Sequence, residues 1–191
     1  MSKPTAVILL CEDYRQSSLI LKYLKKCGIQ RDIRPHLSPK GAGSAEQWVV
    51  QQYPIEVNAY RLAKARKQTW LIVVLDADTG TVSRRIAQLD AGMAQAEDLR
   101  LRQVNPAQEA IGRLIARRNI ETWILALTGE TVNETSDYKH KRSSEEWVTL
   151  IPPASARLYE WTRVNAALPD PLIASLRRGV HELRRLETMG R

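Results

Sequence analysis

No run of apolar residues in this sequence approaches the twenty or so needed to span a bilayer, which excludes an integral helical membrane protein. The opening Met1-Ser2-Lys3-Pro4-Thr5 leads straight into a strand-like run without the basic, apolar and small-residue regions of a signal peptide, so a cytoplasmic location is expected. Cysteine occurs only twice, at Cys11 and Cys27, with no metal-ligand spacing. That excludes a disulfide framework or a zinc module and leaves two small, largely buried side chains. Internal repeats and low-complexity segments are absent too, which removes solenoids and disordered linkers from consideration.

What is present belongs to a globular chain of 191 residues, 43% hydrophobic and 26% charged, long enough for one core of ordinary size. The net charge of +8 is spread over both halves of the chain and forms no basic tail. A pI near 9.7 is compatible with nucleic acid as partner or substrate without demanding it.

Two apolar runs organise the rest. Residues 71–78, Leu-Ile-Val-Val-Leu-Asp-Ala-Asp, read as a buried parallel strand that stops on Asp76 and Asp78. Residues two apart on a strand lie on the same side, so the two carboxylates can lean together, and like charges held that close call for a cation or a shared proton. A polar turn capping the next helix would use the same residues, and both readings stand. Residues 5–11 form a second such run, ending on Glu12 and Asp13. They are followed at Ser17–Cys27 by an amphipathic helix with late lysines and a C-terminal Gly28.

The remaining pattern continues the alternation. A short edge strand is expected within residues 30–37. The loop Ser38–Ser44, with its Gly-Ala-Gly-Ser ending, is expected to be flexible and offers backbone N–H groups to a phosphate, though it lacks the Gly-Lys-Ser/Thr ending of a P-loop. Ser44 and Gln47 predict a capped helix from Ala45, kinked or broken at Pro54. A helix through Val82, Ile86, Leu89 and Met93 follows, then a strand at Ala110–Ala116 and an apolar helix preceded by Glu121, which reads as a favourable first-turn acid on that helix or as a further carboxylate beside the strand ends. Residues 128–144 read as a polar surface loop in which His140 is solvated among cations. Helices are expected at Ala154–Val164 and Pro171–Leu186, the latter with a solvated face of Arg177-Arg178 and Arg184-Arg185. The domain division is an α/β domain over 1–150 and a helical C-terminal extension packed on it over 151–191.

Alternating strands and helices predict an α/β fold with a largely parallel central sheet flanked by helices, whose ligand site lies outside the carboxyl ends of the strands. Glu12, Asp76 and Asp78 should converge there as hard oxygen ligands suited to Mg2+ or Mn2+.

Glu12 at the end of the first strand, with Asp76-Ala77-Asp78 at the end of a later one, resembles the signature of the Toprim fold of topoisomerases, primases and overcoming-lysogenization-defect nucleases. Asn119-Ile120-Glu121-Thr122-Trp123 resembles a segment of small bacterial Toprim-like proteins, and the resemblance covers roughly residues 5–128. It implies magnesium-dependent cleavage of nucleic-acid phosphodiesters, often beside an ATPase partner in anti-phage systems. On that reading Glu12, Asp76 and Asp78 bind the metal, Glu12 serves as ligand or base, Glu121 is a candidate for a second metal, and Lys139 or Arg118 meets phosphate charge. Two positions depart from the family pattern: Asp13 stands where a glycine is common, and Gln16 where related nucleases carry a second glutamate. The alternative is therefore a catalytically inactive Toprim-like interaction subunit partnering an ATPase. Leu9–Asp13 and its helix also resemble the opening of a response-regulator receiver domain, but the interval to Asp76 is longer than the receiver's and Asp-x-Asp is not its pattern.

Overall fold

The computed structural model describes residues 3–41 and 43–189. Met1 and Ser2, read above as part of the N-terminus, and Ala42, in the middle of the expected phosphate-cradling loop, lie outside the described residues.

Four parallel strands form one sheet: β1 (Ala6–Cys11), β2 (Ile33–Leu37), β3 (Thr69–Asp76) and β4 (Ile111–Ala116), in the order β2-β1-β3-β4. Both strands read as continuous apolar runs are buried along their whole length, as strands covered on two faces must be. β2 lies at an edge, where Pro35 withholds an N–H at little cost.

Alternate residues of each strand feed two cores. Val7, Leu9, Ile72 and Val74 meet α1 (Tyr14–Lys26), α4 (Ile120–Leu127), α5 (Ser144–Thr162) and α6 (Ala174–Thr188). Ile8, Leu10, Leu71 and Val73 meet α2 (Ala45–Lys64) and α3 (Val82–Gln95). Each fully buried aliphatic side chain stabilises this three-layer arrangement by about 1.5–3 kcal/mol.

Three helices differ from their sequence reading. The expected break at Pro54 does not occur, and α2 runs unbroken from Ala45 to Lys64. Pro54 has no N–H for the Val50 carbonyl, and Gly92 lets α3 approach that carbonyl so closely that a Cβ there would lie 3.1 Å from it. The helix expected from Ala154 begins ten residues earlier, at Ser144. Its start carries a complete capping box in which Ser143 Oγ accepts from the Glu146 N–H and Glu146 accepts from the Ser143 N–H. Pro152 and Pro153 lie inside this helix on its exposed side and leave the carbonyls of Val148 and Thr149 without their helical N–H partners. The last helix begins at Ala174, not Pro171. The division expected at residue 150 falls inside α5, whose Trp147, Ile151, Ala154 and Leu158 share one core with α1 and α4.

α6 closes this layer. Trp123 of α4 donates from Nε1 to Ser175 Oγ at 2.8 Å, and its ring lies directly against the Gly179 backbone. Cys11 and Cys27 are both free thiols, Cys11 buried and Cys27 partly so.

Candidate active site

The chain leaves β1 toward β2 on one side and returns to β3 on the other, so the gap between β1 and β3 is the topological switch point of the sheet. Cys11 stands opposite Val74, which brings Glu12 beside the last residues of β3. The Asp76 N–H accordingly donates to Glu12 Oε1 at 2.6 Å.

The departure at position 16 acquires a role here. Gln16 is fully buried in the first turn of α1, which Asp13 caps by accepting from the Gln16 N–H. The Gln16 Nε2 donates to Asp76 Oδ1 at 3.0 Å, and its Oε1 accepts from the Glu12 N–H at 2.9 Å. One neutral amide thus ties the two acidic strand ends together.

Asp76 is 2% exposed. Burial pushes its carboxyl well above the ordinary carboxylate range, and the Glu12 charge pushes it further. Burial likewise raises Glu12, with Asp78 adding repulsion and the Asp76 N–H pulling the other way. Asp78 differs: half-exposed, it holds a left-handed backbone (φ +48°) that Asp tolerates, pinned by its N–H donating to the Arg118 carbonyl at 3.0 Å.

A cation already faces these carboxylates. The Lys139 Nζ lies 3.6 Å from Asp76 Oδ2 and 3.7 Å from Asp78 Oδ1. Burial lowers the Lys139 ammonium, but Asp76, Asp78, Glu121 and Glu12 together raise it above the ordinary lysine value. The 128–144 segment is therefore not simply a surface loop. Asp137 Oδ1 accepts from the Lys139 N–H and from Asn119 Nδ2, both at 2.9 Å, and the Trp147 indole donates to the Lys139 carbonyl at 3.3 Å. His140 is exposed, as expected.

Glu121 sits in the first turn of α4, fully buried, with Oε1 paired to Arg15 at 2.6 Å and Oε2 buried without a hydrogen-bond partner. Its charge is felt at Asp76 and Lys139. Arg118 reaches Asp137 at 3.3 Å and stands beside the site through its backbone contact with Asp78.

Sequence reasoning missed Arg85. Its Nε donates to the Asp76 carbonyl at 2.9 Å, its guanidinium lies 3.5 Å from Asp78 Oδ2, and it pairs with Glu46 at the start of α2. The signal was available: an arginine one turn before Leu89 on a stripe that should be apolar is a buried charge in need of partners. Asp137 carried no comparable signal, since acids in polar loops are commonplace.

The donor chemistry fits a hard divalent cation, because magnesium binds through one or two carboxylates with waters and substrate phosphate completing the shell. Carboxyls raised by burial and by neighbouring negative charge are what such a cation would relieve. As arranged, however, among the described residues no three Asp, Glu, His or Cys side chains are grouped so as to hold an ion, and the charge opposite Asp76 and Asp78 is Lys139.

No protein-family model matches the chain, and neither a curated protein nor a solved structure matches it.

Proposed function

We propose that this protein cleaves nucleic-acid phosphodiesters with the help of Mg2+ or Mn2+, as a member of the Toprim-like group that Glu12 and Asp76-Ala77-Asp78 resemble. The observation that carries the proposal is the meeting of Glu12 and Asp76 at the switch point of a parallel sheet, with both carboxyls raised by burial. When bound, the metal would neutralise charge on the phosphate and on the leaving oxygen.

The chain's own groups then divide the work. Asp76 and Asp78 would hold the ion. Glu12, whose carboxyl is raised by burial, would serve as a further ligand or as the base that takes a proton from the attacking water. Lys139 and Arg118 present positive charge to the phosphate from two segments tied together by Asp137. Glu121 contributes negative charge behind Asp76, and its unpartnered oxygen makes it the candidate for a second ion.

The test is calorimetric titration of each ion into wild type and Asp76→Ala/Asp78→Ala, paired with cleavage of labelled DNA and RNA. Uptake and cleavage should be present in wild type and lost in the variant. Wild-type protein that takes up neither ion with nucleic acid present removes the basis for this mechanism.

A second reading is favoured by Lys139 and Gln16, which already supply the cation and the donor that the carboxylates need. In it the protein is a non-catalytic subunit that keeps the scaffold and acts through a partner, an ATPase if the resemblance extends to anti-phage systems. Metal-dependent cleavage by the isolated chain, abolished by Asp76→Ala, would eliminate it.

A further inference from the structure

At the edge of the sheet opposite the carboxylates, the start of β3 and the ends of α1, α5 and α6 line a half-open cavity of about 380 Å3. That volume is within the range of small-molecule sites. Its apolar walls are Ile29, Trp70 and Tyr159. Trp70 is 4% exposed, so its ring is held by the core and forms a fixed wall.

We propose that this cavity binds a small amphipathic anion: a flat apolar body against Trp70 and Tyr159, with a carboxylate or phosphate among Lys3, Lys26 and Arg163. Nothing in the proposed phosphodiester chemistry uses this edge. The three cations line the cavity, and none of them forms an ion pair among the described residues. Gly28 makes room for one of them. Its backbone is left-handed (φ +77°), and a Cβ there would meet the Lys3 ammonium at 2.5 Å.

The single acid in the lining, Glu187, is occupied from within the protein by the Tyr23 hydroxyl at 3.0 Å. Burial raises its carboxyl above the ordinary value, which lessens its opposition to an anion. The helix C-termini bordering the cavity carry roughly half a negative charge each, screened beyond the last turn. Three positive charges without an ion-pair partner among the described residues outweigh them. Cations placed only to satisfy those helix ends would not need a preformed aromatic wall beside them.

The experiment uses 2-naphthoate as probe and 2-naphthalenemethanol as its uncharged counterpart, titrated into the full chain and followed by the indole N–H signals in NMR. Saturable binding of 2-naphthoate is expected, weakening as salt is raised. The alcohol and the variant Lys26→Ala/Arg163→Ala should each bind roughly three- to tenfold more weakly. Both substituted side chains are exposed, so the variant should melt as wild type does. The proposal is overturned if 2-naphthoate fails to saturate by about 10 mM, if the alcohol binds equally well, or if the double variant and added salt leave the affinity unchanged.

Discussion

Replacing Asp76 by asparagine should stabilise this protein at neutral pH, although the substitution removes a carboxylate from the centre of its site. Asp76 is 2% exposed and its carboxyl is raised by burial first and by Glu12 second. A raised acid is neutral in both folded and unfolded chains at low pH, so it then costs nothing. Above the unfolded value of about 3.9 the unfolded carboxyl ionises freely while the native one resists, and stability falls by about 1.4 kcal/mol per pH unit until the native group ionises too. Asparagine is exempt. Its Oδ1 can still accept from Gln16 Nε2, and the Glu12–Asp76 repulsion is removed. The opposing loss is the contact with Lys139, whose side chain is 39% exposed and keeps Asp78 at 3.7 Å, so it is worth at most about 1 kcal/mol.

Urea denaturation of both proteins from pH 3.5 to 8, without divalent ions, gives the difference directly. The two should be alike at the acid end, with the variant pulling ahead as pH rises. Added Mg2+ should then stabilise wild type by about 2.7 kcal/mol at a hundredfold excess over its dissociation constant and leave the variant unmoved. A difference independent of pH, or a variant less stable than wild type at pH 7, would refute the reasoning about Asp76. A magnesium response equal in both proteins would refute the metal assignment separately.

Arg15→Ala strips the partner from a Glu121 carboxylate that already has one unpaired buried oxygen, and should cost about 3 kcal/mol or more in urea denaturation. Gly179→Ala drives a methyl into the Trp123 ring and should cost about 1–3 kcal/mol, with a change in near-ultraviolet circular dichroism from the displaced indole. Gln16→Glu exchanges the amide donor on Asp76 for another carboxylate. It should destabilise the metal-free protein by about 1–3 kcal/mol and, in a calorimetric titration, raise its affinity for Mg2+.

The sheet was legible because its information is local. β1 and β3 announce themselves as continuous apolar runs, the composition that strands buried on both faces call for. Helix boundaries were less secure where one residue type carries two meanings. Proline starts helices and also breaks them, so Pro152-Pro153 favour a helix beginning at Ala154, whereas the capping box at Ser143 and Glu146 sets the start ten residues earlier. Pro54 shows the converse: it sits inside an unbroken α2, and the Val50 carbonyl it releases packs against Gly92 of another helix.

The site was legible in its acids and not in their partners. A carboxylate at the end of a buried strand has its place fixed by the fold, and Glu12 and Asp76 meet because the β1–β3 register brings them together. Gln16, Lys139 and Arg85 reach the same place from three other segments, and their roles depend on which rotamer each side chain adopts once those segments pack. Gln16 is the instructive case. In the folded chain its amide satisfies Asp76 Oδ1 and the Glu12 N–H together. A carboxylate at that position would accept from the Glu12 N–H and repel Asp76. A neutral glutamine there therefore keeps down the number of charges that a cation must balance from one side, while Lys139 lowers it from the other. A site tuned in this way can keep its shape without a metal, and any metal it takes must compete with an ammonium for Asp76 and Asp78.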